Sequence, residues 1–147
     1  MDKIERADKK ALALAVGASM YGRDRASHGL GIKLDEIRPG YARMSMQVQD
    51  WMIQGYEICH GGLLFALADT AMAFAASSHN EQHIALHGNI DYLRPAKLGD
   101  TLTAEAHEGS RTNRTGMYNV IVENHTGDTL CYFRGRTYGV GGTVIRN

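Results

Sequence analysis

His60-Gly61-Gly62, followed by Leu63-Leu64-Phe65-Ala66-Leu67-Ala68 and then Asp69, combines residue types that can act together on a carbonyl group. From Leu63 to Ala76 only Asp69 and Thr70 are polar, so the stretch reads as an apolar helix with a carboxylate at its midpoint. Such a carboxylate is costly unless it is paired, hydrogen-bonded or exposed in a cleft. Glycines at a helix entrance leave open the backbone N–H groups that have no intrahelical partner. Oxyanion donors at one point and an acid at another are the parts of an acyl-transfer site. At ~1.5 Å rise per residue, Gly61 and Asp69 stand roughly 12 Å apart along the axis. Reacting groups must come within about 3–3.5 Å. Either the two features are unrelated, or a second copy supplies one of them across a two-fold interface.

Other reactive residues carry less. Cys59 adjoins His60, but sequence neighbours rarely have the geometry of a nucleophile–base pair. His79, His83 and His87 are spaced by four, yet the helix fades at Ser77-Ser78 and a strand begins near Ile84. The three then share no face, and a solvated turn is expected rather than a metal site. Met44, Met46, Met52, Met72, Phe65, Phe74 and Tyr92 read mostly as core, with one or two free to line an apolar pocket.

The elements that must position these residues follow from pattern and turn chemistry. An N-terminal helix is predicted over residues 1–22, ending near Gly17 or Tyr21-Gly22, and Ser27 to Gly31 reads as a loop. Strands are predicted at Ile32–Ile37 and Tyr41–Val48, joined by Arg38-Pro39-Gly40. Asp50 to Cys59 connects to the apolar helix. Further strands follow at Ile84–Leu93, Thr101–Glu108, Thr115–Asn124 and Thr129–Tyr138, and residues 140–147 read as a loose tail. A helix apolar on nearly all sides must be enclosed, and short turns make the enclosing sheet largely antiparallel. The expectation is one α+β domain over residues 1–147, with about six strands around a central helix.

Composition narrows the partners. The 147 residues carry 16 Lys plus Arg and 16 Asp plus Glu, so no basic excess points to nucleic acid or a membrane surface. Cys59 and Cys131, the only cysteines, suit two reduced buried thiols rather than a disulfide framework. No signal peptide or membrane span is read from the sequence, and the expected location is cytoplasmic.

Tyr56-Glu57-Ile58-Cys59-His60-Gly61-Gly62-Leu63-Leu64-Phe65-Ala66-Leu67-Ala68-Asp69-Thr70-Ala71 resembles the hotdog-fold acyl-CoA thioesterases. The branch of phenylacetic-acid degradation is the most similar, and three further stretches fit it: residues 89–102, Thr115-Gly116-Met117-Tyr118 and Phe133-Arg134-Gly135-Arg136. The resemblance implies the hotdog fold, dimers that commonly pair into homotetramers, and hydrolysis of acyl- or aryl-acyl-CoA without metal or cofactor. Carried over by position, Asp69 is the catalytic carboxylate, as nucleophile or as base for water. Gly61 N–H polarises the thioester carbonyl, Gly62 helps form the helix entrance, and His60 flanks the site. Gln54 occupies a position where relatives often have Asn. Ala85 stands where some relatives have a helpful serine, with His87 nearby as a substitute. Arg94, Lys97, Arg111, Asn113 and Arg114 are candidates for the phosphates of coenzyme A. Two alternatives remain at this point: a non-catalytic acyl-CoA-binding module, and a hydratase or dehydratase using His60 with Asp69.

Overall fold

The computed structural model describes residues 1–146; Asn147, the last residue of the expected tail, lies outside it. Asp2 caps α1 (Lys3–Arg23), its carboxylate accepting the Glu5 N–H at 2.8 Å. Gly17 does not stop this helix. A Cβ there would lie 2.8 Å from an Ile37 methyl, so the glycine instead lets α1 settle onto the sheet. The segment read as a loop is a short helix, α2 (Arg25–Leu30). Asp24 starts it by accepting the Ser27 N–H, and Gly31 ends it at φ 73°.

Strands β1 (Lys33–Arg38) and β2 (Tyr41–Gln47) flank the Pro39-Gly40 turn. After a single 3-10 turn at Asp50–Met52 comes the apolar helix, α3 (Gly61–Ser77). The chain then gives β3 (His83–Tyr92), β4 (Thr101–Thr112), β5 (Thr115–Asn124) and β6 (Thr129–Gly139). β4 outruns its predicted end at Glu108. A register shift between Glu108 and Ser110 absorbs one residue, and pairing resumes as far as Thr112. Asn113, at φ 52°, closes that hairpin in the left-handed region.

All strand pairs are antiparallel, in the order β1-β2-β4-β5-β6-β3. The α+β architecture with six strands is the one predicted. α3 packs against every strand of the sheet. β5 shows the alternation that builds this layer: Tyr118, Val120 and Val122 face the helix, while Met117, Asn119 and Ile121 face outward. Met44, Met46, Met52, Met72 and Phe74 are buried as expected. The segment after Gly139 is tied down rather than loose. Val144 is buried and its carbonyl accepts from Arg23, while Ile145 N–H donates to Asn80.

Uncovered surfaces among the described residues include one face of α3 and one edge of the sheet. One line along α3, formed by Gly62, Ala66, Asp69 and Ala73, keeps partial or full exposure, whereas Leu64, Leu67, Ala68 and Ala71 are buried. β3 pairs only with β6, and Ile84 and Leu86 on this free edge are 55% and 51% exposed. No helix among the described residues is long and apolar enough to cross a membrane.

Candidate active site at the entrance of the central helix

The loop before α3 is folded back on itself. Gln54 N–H donates to Ile58 O, and Ile53 bridges Cys59. Glu57 adopts φ 65°, a conformation uncommon for a side chain with a Cβ. Within this loop the Gln54 side-chain oxygen accepts the Tyr56 N–H. That contact orients the amide, and its NH2 remains available as a donor.

His60 caps α3. Its Nδ1 accepts the Gly62 N–H at 2.9 Å, and its own carbonyl accepts the Leu63 N–H at 3.0 Å. A ring nitrogen that accepts is unprotonated, which places the proton of the neutral ring on Nε2. The Gly61 N–H has no acceptor among the described residues. It points out of the positive end of the helix dipole, where an oxyanion is stabilised. A depression of about 400 Å³ opens there, lined by Gln54, Cys59, Gly61, Leu64, Tyr92 and Arg94 among others. A second, of about 370 Å³, lies on the other side of Gln54 against Trp51, His60, Gly62 and Leu63.

Asp69 sits two turns further on, half-buried on the uncovered line of α3. Burial alone raises its pKa; no hydrogen bond or charge partner contributes. The structure thus holds a half-buried carboxylate with a raised pKa, and does not bring it to Gly61 within one chain.

The other predicted residues divide by location. Arg94 lines the depression at Gly61, with one guanidinium nitrogen donating to Thr129 O. Lys97, like Arg94, is exposed in the β3–β4 connection. Arg111 is paired with Glu81 at 2.6 Å, and Asn113 and Arg114 line a separate depression at the β4–β5 turn. That turn abuts His83 and Gly139, at the far end of β3 from Tyr92. Nine residue steps of strand at ~3.3 Å make this separation about 30 Å. Within one chain, therefore, Arg111, Asn113 and Arg114 do not join Arg94 in a single phosphate site.

Three further expectations change. His87 faces outward with Asn89 and Asp91 on the outer sheet surface, while its neighbour Gly88 packs on Phe65 and Phe133. It cannot stand in for the missing serine at Ala85 on the helix side. His79, His83 and His87 do not form a solvated histidine turn, because His83 is buried and bonded to Thr137 at 2.9 Å. No group of His, Cys, Asp or Glu among the described residues is placed to hold a metal ion. Cys59 and Cys131 are free and buried, and burial raises both thiols, Cys131 to about 12. That is the opposite of an activated nucleophile.

Tyr92 belongs to the site although its apolar character grouped it with the core. It is 52% exposed, and its hydroxyl donates to Gly61 O at 2.8 Å. A hydroxylated ring at a strand end, where a phenylalanine would serve for packing alone, was the available signal.

Comparison with known proteins gives the family and the fold. The Thioesterase superfamily profile matches residues 56–131. The chain is 40% identical over 126 residues to "Acyl-coenzyme A thioesterase PaaI" of Escherichia coli, covering 86% of this chain and 90% of the relative. It is 33% identical over 134 residues to a "Putative esterase" of Archaeoglobus fulgidus, covering 91% and 87%. In structure it is similar to the E. coli PaaI protein from the phenylacetic acid degradation operon. That match has a TM-score of 0.90 at 38% identity, and covers 91% of this chain and 97% of that one.

Proposed function

The chain belongs to the thioesterase superfamily, and from that premise we propose that it hydrolyses acyl-coenzyme A thioesters at sites shared between two subunits. The substrates are aryl-acyl thioesters of the phenylacetyl or hydroxyphenylacetyl type, in keeping with the operon named for its E. coli relative. The unpartnered Gly61 N–H at the head of α3 is the observation that carries the reading. It takes the thioester oxygen as negative charge develops, and preorganised donors of this kind supply much of the rate in acyl transfer. The Gln54 amide, held through its oxygen by the Tyr56 N–H, serves as a second donor through its NH2.

Asp69 of the partner subunit attacks the carbonyl carbon or draws a proton from a water that does. Either way the tetrahedral intermediate collapses with expulsion of the coenzyme A thiolate. The net reaction adds one water and yields the acid and the free thiol.

The dimer is supported by what one chain leaves open. β3 is a ten-residue edge strand with exposed Ile84 and Leu86, the kind of edge that pairs with another strand. Pairing two β3 strands antiparallel about a two-fold axis lays the His83 end of one beside the Tyr92 end of the other. The β4–β5 turns of the pair, with Arg111, Asn113 and Arg114, then approach the Gly61 ends across the interface and join Arg94 in receiving the coenzyme A phosphates. The outer sheet face, with exposed Met117, Ile121 and Tyr132, offers a second contact through which dimers form a homotetramer. The site as drawn uses no metal or organic cofactor.

The test is thiol release from a panel of acyl-CoAs, with enoyl-CoA absorbance followed in parallel. Rapid thiol release from phenylacetyl-CoA, abolished by Asp69→Asn, is the expected result. Absorbance loss without thiol would identify a hydratase, and tight binding without turnover a non-catalytic module. His60 argues against the hydratase to the extent that its Nδ1 is engaged in capping α3, which leaves only Nε2 for proton transfer.

A further inference from the structure

We infer that Tyr92 is a positioning residue for the oxyanion site, acting through the backbone of Gly61. Two adjacent glycines at the head of α3 are the residues least able to hold their own dihedral angles. The structure restrains the peptide between them at both ends: Gly62 N–H is held by His60 Nδ1 at 2.9 Å, and Gly61 C=O by the Tyr92 hydroxyl at 2.8 Å. The Tyr92 ring also occupies the space beside the Gly61 Cα, where a Cβ would lie 2.9 Å from Cζ and Oη. Tyr92 is itself fixed at the end of β3 by its pairing with Cys131. Sheet, tyrosine and helix entrance form one rigid frame around the N–H that meets the substrate. Burial and the neighbouring Cys131 raise the phenol pKa, so the hydroxyl remains a donor across the neutral range. A side chain at position 61 would have to displace the Tyr92 ring from this contact.

This inference rests on the reading that Gly61 N–H holds the thioester oxygen, and one set of measurements separates the two. The probes are a coenzyme A ketone, in which a methylene replaces the thioester sulfur, and a coenzyme A thioether with no carbonyl. Infrared spectra of the bound, carbon-13-labelled ketone report the hydrogen bonding of its carbonyl. In the wild type the stretch is expected to fall below its value in water. In Tyr92→Phe the fall should shrink, with kcat reduced about tenfold, KM within about twofold and thioether affinity unchanged; losing a direct oxyanion donor costs more, about 100- to 1,000-fold. A Tyr92→Phe enzyme with wild-type kcat and an undiminished shift overturns the role of Tyr92 alone. Equal loss of affinity for ketone and thioether, or a lower melting temperature with an unchanged carbonyl shift, also overturns it, in favour of a substrate contact or a brace. Absence of the shift in the wild type overturns the oxyanion reading itself.

Discussion

Gly62 donates its N–H to Nδ1 of His60 at 2.9 Å, so the histidine of the His-Gly-Gly motif acts as a helix cap. An asparagine carries an acceptor of similar reach and is among the strongest capping residues. His60→Asn is therefore expected to keep hydrolysis within a few fold of wild type. His60→Ala should lose about 1 kcal/mol of stability by denaturant unfolding and more activity than the asparagine variant. Loss of activity in both variants alike, with stability retained, would show the imidazole acting on substrate.

Asp69 gives a pH prediction whose sign follows from its environment. Burial raises its folded-state pKa above the ordinary value of 3.8. A raised carboxylate binds its proton more tightly in the folded state, so its contribution to stability is present in acid and lost as pH rises through the folded pKa. The proposed mechanism needs the ionised form, and the acid limb of kcat is then expected at a pH above that of an ordinary aspartate. Asp69→Asn should lower kcat by about 10²–10⁴ while being more stable than wild type at neutral pH. Its stability advantage should vanish on acidification below the unfolded pKa. A pH-independent advantage would show that the carboxylate is not strained by burial.

The sequence revealed the helix, the strands and the candidate motif at the helix entrance because each has a local cause. Alternation set the strands, Pro39-Gly40 marked a turn, and a carboxylate at position 69 stood out against alanine and leucine. What stayed hidden was determined by distance along the chain. Nothing near Tyr92 says that its hydroxyl meets Gly61, 31 residues away. Nothing near Arg111 says that Glu81 holds it. α2 was missed because six residues carry too little periodicity, and only the Asp24 cap and Gly31 stop define it. Nor does the sequence show that His87 and Ala85 lie on opposite faces, because a register shift between them reverses the alternation on β3.

Stability and activity should separate at the other end of α3. Glu108 Oε1 lies 3.0 Å from His79 Nε2 and accepts from the Tyr118 hydroxyl at 3.3 Å. Tyr118 is fully buried, and burial together with Glu108 raises its pKa well above 10. Glu108→Ala leaves that hydroxyl without its partner and is expected to cost about 1–3 kcal/mol in denaturant unfolding. Glu108→Gln retains an acceptor and should cost less. Turnover per folded molecule should be unchanged in both, since neither touches the helix entrance. A selective fall in kcat for Glu108→Gln would link this network to the chemistry.

The proposed sharing of the site between chains gives the most direct prediction. Gly61→Ala puts a Cβ into the Tyr92 ring and disrupts the donor, while Asp69→Asn removes the acid; each homodimer should be inactive. Unfolding and refolding an equal mixture forms half heterodimers by random pairing. In each of these, one site combines the intact Gly61 of one chain with the intact Asp69 of the other, and the second site lacks both. One good site in half the dimers restores about a quarter of wild-type activity. If Gly61 and Asp69 of the same chain formed the site, no pairing of these variants would assemble an intact one. The mixture would then show only the residual rates of its parents. Mixing the folded variants without unfolding should give the same recovery on the timescale of subunit exchange, so the time course also reports the strength of the β3 interface.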